Sequence, residues 1–131
     1  MIAQNDLNRQ IPDEFFVTLP TLKTFSVWSN SLTGSVPSSI KTLTQFTVLD
    51  IEQNNFSGSI FTPELFNLTG TLKKLRVSSN QFVDQIPDSI DEFSILDDLW
   101  IANNSVFGTL PTQLGNLKFL SKYRYLLPIY L

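Results

Sequence analysis

The stretch LKTFSVWSNSLTGSVPSSIKTLTQ, Leu22 to Gln45, returns in altered form three more times along this 131-residue chain, over residues 46–71, 72–95 and 96–119. A partial unit precedes it in residues 1–21, and another begins in residues 120–131. The most regular mark of the repeat is an asparagine, found at Asn5, Asn30, Asn54, Asn80 and Asn104. A fixed period in the twenties is typical of a solenoid, in which each short unit stacks on the next.

Each position of the shared pattern LxxLxLxxNxLxGxIPxxLxxL has a structural interpretation. Phe25 and Val27 alternate with polar residues, which predicts a short strand with one buried face. Strands that recur once per coil must pair in parallel along one side. Apolar residues further on, such as Ile40 and Leu65, predict a return segment of a single 3₁₀ or α-helical turn that packs inward. We therefore predict an α/β solenoid that is right-handed and curved into a horseshoe, with a parallel sheet on its concave face.

The recurring asparagine comes where the chain leaves each strand and turns. Its side-chain amide both donates and accepts hydrogen bonds, so it can satisfy backbone groups of its own coil and of a neighbouring coil. We expect the five asparagines to form a buried ladder along the solenoid. Gly34, Gly58 and Gly108 share a later column where a bend needs a permissive backbone, and Asp84 replaces glycine in that column.

Composition and charge exclude several functions. The formal charge of −3 argues against a general nucleic-acid surface. The chain has no cysteine, and without histidine it lacks the usual general base and the commonest transition-metal ligand. No apolar run approaches the ~18 residues that a membrane helix needs. We predict no catalytic residue, no cofactor, no metal site and no membrane insertion within this chain.

The segments TGSVPSSIKTL and FGTLPTQLGNL, at residues 33–43 and 107–117, carry a resemblance to a known family. The chain resembles leucine-rich repeat proteins of the plant-specific subtype, which occurs in receptor-kinase ectodomains, receptor-like proteins and polygalacturonase inhibitors. The resemblance implies an extracellular recognition surface and a second short sheet formed by the LxGxIP residues. The cysteine-containing caps of the family are missing, and Pro128 falls where the next ladder asparagine is due. We interpret residues 1–131 as one leucine-rich repeat domain that is a fragment of a longer protein.

Residues between the buried strand positions should face outward on the concave side. They form one column of Ser26, Asp50, Arg76, Trp100 and Arg124, and a companion column of Trp28, Glu52, Ser78, Ala102 and Leu126. Both tryptophans of the chain are therefore predicted on this face, and tryptophan is enriched at binding hot spots. Arg76 and Arg124 flank Trp100 and are expected as its cation–π partners. The candidate ligand-binding residues are thus Trp28, Asp50, Glu52, Arg76, Trp100 and Arg124. The alternative is that Asp50 and Arg76 pair across strands for stability alone.

Two further groups of residues match patterns that can form sites. Asn55, Asn67 and Asn103 begin N-glycosylation sequons, which support secretion only weakly because such triplets also arise by chance. A glycan on Asn103 would obstruct the concave side. The acidic pairs Asp13-Glu14, Asp91-Glu92 and Asp97-Asp98 are expected to be solvated surface rather than hydrolytic or calcium sites.

These observations favour a non-catalytic recognition module that belongs to a secreted or cell-surface receptor and binds a protein, peptide or glycan. Two alternatives stay open: a stand-alone inhibitor of an extracellular hydrolase, and an intracellular interaction scaffold. Because both ends of the stack lack polar caps in this sequence, we also expect exposed apolar edges and self-association through them.

Overall fold

Short strands and single helical turns alternate around successive coils in the computed structural model, which describes residues 5–125. The strands are β1 (Thr24–Ser26), β2 (Thr33–Gly34), β3 (Val48–Asp50), β4 (Asn55–Gly58), β5 (Lys74–Arg76), β6 (Gln81–Gln85), β7 (Asp98–Trp100), β8 (Ser105–Phe107) and β9 (Lys122–Arg124). The returns are the 3₁₀ turns Phe15–Thr18, Ser38–Thr42, Asp88–Glu92 and Thr112–Asn116, and the α-helical turn α1 (Pro63–Phe66).

The odd-numbered strands form one parallel sheet in the order β1-β3-β5-β7-β9. Equal repeat positions pair along it, so that Phe25, Leu49, Leu75, Leu99 and Tyr123 share one row. Leu49, Leu75 and Leu99 are fully buried beneath the sheet. The predicted parallel sheet is confirmed, and its outward side is called the concave face below.

The strands β2, β4, β6 and β8 form a second parallel sheet, which the family resemblance implied. Its register differs from that of the first sheet, because Gly34 pairs with Phe56 and Gly58 pairs with Phe82. Each strand is therefore staggered by two repeat positions against its neighbour. Neighbouring coils are offset along the strand direction on this side and aligned on the concave side.

The return segments differ where the sequence lacks a proline. The 3₁₀ turns that begin at Ser38, Asp88 and Thr112 each follow a proline with extended backbone. The third coil has Phe61 in place of that proline, and α1 begins two residues later with Pro63 at its first position and the Thr62 hydroxyl as its N-cap. The two extra residues of this coil are thus accommodated in its return.

The core is a set of apolar columns, one residue per coil. Fully buried members include Ile40, Leu65 and Ile90 from the returns, as the sequence predicted. Phe56 and Phe82 stack in one column with ring centroids 6.4 Å apart and nearly parallel planes. Since each coil fills gaps left by the coils on either side, no single repeat encloses its own core.

The asparagine side chains connect neighbouring coils. Asn54 accepts a hydrogen bond from the Leu32 N–H at 3.0 Å and donates to the carbonyls of Val27, Ile51 and Glu52. Asn30, Asn80 and Asn104 likewise bind carbonyls of their own coil and accept a backbone N–H of the preceding coil. Only Asn54 is buried, whereas Asn5 is exposed and the other three are half-buried. The ladder therefore lies near the solenoid surface, because it follows the chain as it turns out of each strand.

The glycine column shows why Asp84 is tolerated in it. Gly34, Gly58 and Gly108 have φ values of +80, +82 and +81°, a left-handed conformation that favours glycine. Asp84 instead continues β6, and its carboxylate accepts hydrogen bonds from the Ser59 hydroxyl and from the backbone N–H groups of Ile60 and Phe61. Phe61 has an N–H to satisfy because it replaces the proline of the other coils. The two departures from the repeat thus compensate for each other.

The neighbouring residues Asn54 and Asn55 offer a direct test of the ladder. Asn54→Ala should lower the free energy of unfolding by about 1–3 kcal/mol, because it leaves the Leu32 N–H without its acceptor and removes one of the donors to the Val27, Ile51 and Glu52 carbonyls. Asn55→Ala, at an exposed position, should change it by less than about 0.5 kcal/mol. Urea unfolding followed by circular dichroism measures both. Equal losses in the two variants would contradict the ladder's role.

Candidate ligand-binding face

Three columns of side chains face outward on the concave face, because successive residues of a strand alternate between its two sides. Two of them are the predicted columns that contain Asp50 and Glu52. The third was missed in the sequence and consists of Thr24, Val48, Lys74, Asp98 and Lys122. The described part of the companion column ends at Ala102, since Leu126 lies outside the described residues.

Arg76, Asp98, Trp100 and Arg124 form one cluster. Nε and Nη2 of Arg76 donate to Oδ2 of Asp98 at 3.0 and 2.5 Å. The guanidinium carbons of Arg76 and Arg124 lie 4.5 and 4.1 Å from the centroid of the Trp100 ring. The expected cation–π contacts are confirmed. We call these four residues the basic cluster.

The salt bridge of the concave face differs from what the sequence suggested for Asp98 and for Asp50. Asp98 has no exposed surface, so the interpretation of Asp97-Asp98 as a solvated pair was wrong for Asp98. The carboxylate that forms a salt bridge with Arg76 is that of Asp98. The salt bridge that the alternative interpretation placed between Asp50 and Arg76 is therefore not formed, although the Arg76 charge still opposes the rise that burial causes in the pKa of Asp50. Arg76 reaches towards the strand that also carries Trp100, where it gains an ion pair and an aromatic contact together.

Asp50 and Glu52 lie on the other side of Arg76, and with Trp28 they form what we call the acidic end. Hydrogen bonds from the Val27 and Ser29 N–H groups to the Asp50 and Glu52 carbonyls bring Trp28 beside Glu52. Burial raises the pKa of Asp50 above its ordinary value, and the Glu52 N–H and the Arg76 charge oppose that rise. Burial and the nearby Asp50 carboxylate also raise the pKa of Glu52. Both carboxylates thus carry their negative charge at a cost.

A concave cavity of about 540 Å³ connects the two regions. Its lining includes Glu52 and Ser78 at the acidic end, and Tyr123, Arg124 and Tyr125 at the other end. The rings of Tyr123 and Tyr125 stack with centroids 6.1 Å apart, and burial raises the pKa of both hydroxyls. The cavity therefore offers a carboxylate, a guanidinium and aromatic surface to one ligand.

The six predicted ligand-binding residues do not form one contact cluster. Arg76, Trp100 and Arg124 belong to the basic cluster, whereas Trp28, Asp50 and Glu52 belong to the acidic end. Trp28 and Arg124 are separated by four strand spacings, or about 19 Å. The face is an extended surface suited to a long ligand.

The three sequon asparagines have different surroundings. Asn55 is exposed on β4, away from the concave face. Asn67 is exposed at the end of α1, and its amide donates to the Pro63 carbonyl at 2.9 Å. Asn103 lines the concave cavity and donates to the Ser79 hydroxyl at 3.3 Å. Glycosylation stays a prediction, and the geometry favours Asn55 and Asn67 over Asn103.

Apolar side chains are exposed in the last complete coil. Leu110 and Phe119 expose 45% and 61% of their surface, although the corresponding Ile86 and Ile95 are covered wholly or partly. Self-association through this surface stays a prediction. Among residues 5–125, no helix is long and apolar enough to span a bilayer.

The parallel sheets, single-turn returns and asparagine ladder define a leucine-rich repeat solenoid. A family model described as Leucine Rich Repeat matches residues 21–43 and 71–93. The chain is accordingly a leucine-rich repeat protein, and its relatives include plant receptor-like proteins. Receptor-like protein 7 of Arabidopsis thaliana is 34% identical over 119 residues, which cover 88% of this chain and 11% of the relative. Receptor-like protein 35 of the same plant is 39% identical over 116 residues, which cover 88% and 12%.

Solved structures agree with these relatives. The ectodomain of the Arabidopsis receptor kinase HAESA, in complex with the peptide hormone IDA and the co-receptor SERK1, matches with a TM-score of 0.84 and 32% identity. The match covers 94% of this chain and 20% of that chain. The chain therefore spans about a tenth of the length of the curated relatives given above and a fifth of this ectodomain chain.

The buried Asp98 gives a stability prediction. Asp98→Ala should lower the free energy of unfolding by about 2–3 kcal/mol, because it leaves the half-buried Arg76 cation without its carboxylate. Asp88→Ala removes the same charge from an exposed position and should change the stability by less than about 0.5 kcal/mol. Thermal and urea unfolding compare the two variants. An Asp98→Ala protein as stable as Asp88→Ala would show that the pair contributes nothing.

Replacing Asp50 should stabilise the protein at neutral pH, in contrast to replacing Asp98, because the pKa of Asp50 is raised. A carboxyl whose folded-state pKa is raised loses stability as the pH rises through that pKa. Asp50→Asn should therefore raise the melting temperature at pH 7, and the gain should shrink as the pH is lowered from 7 to about 4, the ordinary range of an aspartate pKa, because Asp50 gains its proton on acidification. Melting curves between those pH values measure the difference.

Asp13 provides the matched comparison. The Ser38 hydroxyl and N–H both donate to its carboxylate, and they lower its pKa. Its contribution is thus present at neutral pH and lost on acidification. Asp13→Asn should lower the melting temperature at pH 7 and have less effect at low pH. Melting shifts of the same sign in both variants would refute the assignment of the two environments.

Proposed function

We propose that this chain is part of the ligand-binding ectodomain of a plant cell-surface receptor, and that its concave face binds an extended peptide or a peptide segment of a protein. The observation that carries the proposal is the half-buried Trp100, held between Arg76 and Arg124 in the lining of an open cavity that Tyr123 also lines. A rigid, amphipathic ring on an ordered sheet is the kind of anchor on which binding energy concentrates.

The relatives support this proposal over a catalytic one. Receptor-like proteins 7 and 35 and HAESA are named as receptors, and HAESA was solved with a peptide hormone and a co-receptor. By analogy, the part of the protein that contains this chain lies outside the cell, and the partner is a peptide or protein. The module works by surface complementarity, and it contributes no reacting group.

The rigid scaffold suits an extended ligand in particular. A peptide laid across the strands would pass from the acidic end to the basic cluster over about 14 Å, the spacing of four neighbouring strands from β3 to β9. Because the face is already ordered by the ladder and the ion pair, little conformational entropy is lost on binding.

Selection of a phage-displayed library of random twelve-residue peptides on the purified chain tests the proposal. Enriched peptides should bind the unmodified chain and lose at least about tenfold in affinity on Trp100→Ala, as expected for a hot-spot residue. The control Phe107→Ala removes a side chain that is 56% exposed on β8, away from the concave face, and should leave binding unchanged.

Melting curves establish that both variants are folded. Peptides that depend on Phe107 and not on Trp100 would place binding on the second sheet and refute the proposal. Failure to enrich any peptide would refute peptide recognition by this segment.

A further inference from the structure

Asp98 is the member of the basic cluster that a ligand cannot touch. Its side chain has no exposed surface, whereas Trp100 and Arg124 line an open cavity of about 460 Å³. Nε and Nη2 of Arg76 both donate to the same oxygen, Oδ2 of Asp98. Any influence of Asp98 on binding must therefore pass through the arginine that it holds.

The guanidinium of Arg76 has carboxylates on both sides. The neighbouring strand β3 carries Asp50, the register partner of Arg76, and Glu52 follows two residues later. Hydrogen bonds with Asp98, on the other side, raise the pKa of Arg76 above its ordinary value, and burial opposes that rise. The charges of Asp50 and Glu52 raise it further from a distance, so they attract the same guanidinium. The bonds to Asp98 thus keep Arg76 on the side of β7.

The position of Arg76 decides what lies against the Trp100 ring. Its guanidinium carbon is 4.5 Å from the ring centroid, and that of Arg124, from the strand on the other side of β7, is 4.1 Å away. A ring held by two cations has less rotamer freedom before a ligand binds. Because immobilising a side chain on binding costs free energy, a ring that is already held gives tighter binding.

We infer that Asp98 is a positioning residue for ligand binding, which holds the Arg76 guanidinium against the Trp100 ring and thereby orders the anchor without touching the ligand. The inference rests on the proposed function, in which Trp100 is that anchor. Without the Asp98 charge, Arg76 should turn towards the acidic end, and the ring should keep only its contact with Arg124.

NMR of the arginine side chains tests whether Asp98 holds Arg76 on the ring. Protons above an aromatic ring resonate upfield, so the δ-methylene signals of Arg76 and Arg124 should lie upfield of those of the exposed Arg9. In Asp98→Asn, which keeps the shape and removes the charge, only the Arg76 signals should move to the position of Arg9. Arg76 signals that match those of Arg9 in the unmodified chain, or that stay upfield in Asp98→Asn, would overturn the inference.

The affinity of a Trp100-dependent peptide from the library selection tests the effect on binding. Asp98→Asn should weaken binding about fivefold, the effect of releasing one immobilised side chain. The matched control Asp88→Asn removes the same charge at an exposed position and should leave the affinity unchanged. The comparison is repeated in an Arg76→Met background, where Asp98→Asn should have no effect because the arginine through which it acts is absent.

Equal losses of affinity in the two backgrounds would show that Asp98 acts on the fold in general and would overturn the inference. Melting curves establish which variants are folded. A measurement on the unmodified chain needs no variant: the Arg76 signals should stay upfield when the peptide saturates the protein. Their return to the position of the Arg9 signals on binding would show that the contact is not part of the bound state, and would also overturn the inference.

The outcome is separable from that of the proposed function. Peptides that need Trp100 but bind Asp98→Asn with unchanged affinity would leave the proposed function standing and overturn the role of Asp98. A selection that enriches no peptide would refute the proposed function, and the arginine signals would still decide whether Asp98 holds Arg76 on the ring.

Discussion

The asparagine amide that joins each coil to the preceding one is the interaction on which the rest of this structure depends. Each strand is only a few residues long and could not hold its register by strand pairing alone. Asn54, for example, fixes carbonyls of two coils and one backbone N–H at the point where the chain turns out of the sheet. Because the same bonds recur at Asn80 and Asn104, equal repeat positions are aligned across the concave sheet.

This alignment brings residues from successive repeats together on one surface. Residues about 24 positions apart become neighbours about 4.8 Å apart, so a charge or ring placed once per repeat acts on its counterparts in the adjacent coils. On this chain the result is uneven: Arg76 forms a salt bridge with Asp98 and packs on Trp100, while Asp50 and Glu52 form no salt bridge with the described residues and feel the Arg76 charge at longer range. A salt bridge and a cation–π contact therefore stabilise one end of the face, and the other end has neither.

Departures from the repeat are informative for the same reason. Phe61 in place of a proline and Asp84 in place of a glycine would each look unfavourable alone, but they lie on adjacent coils and share hydrogen bonds. The burial of Asp98 could not be predicted from the sequence of its own strand. Alternation along β7 indicates that it faces outward, yet its burial depends on Arg76, which is 22 residues away and belongs to another coil. The sequence shows which side of the strand it occupies, but not what covers it.

The sequence by itself determined the solenoid, the position of its strands, the ladder and the columns that face outward, because these follow from a period repeated several times. It also placed Arg76 and Arg124 on either side of Trp100, since that contact needs only the register. Only the tertiary structure decided that Arg76 binds Asp98 rather than Asp50, that Asp98 is buried, and that the second sheet is staggered. A long side chain can reach either neighbouring strand, and its choice depends on distances and burial that no repeat pattern contains.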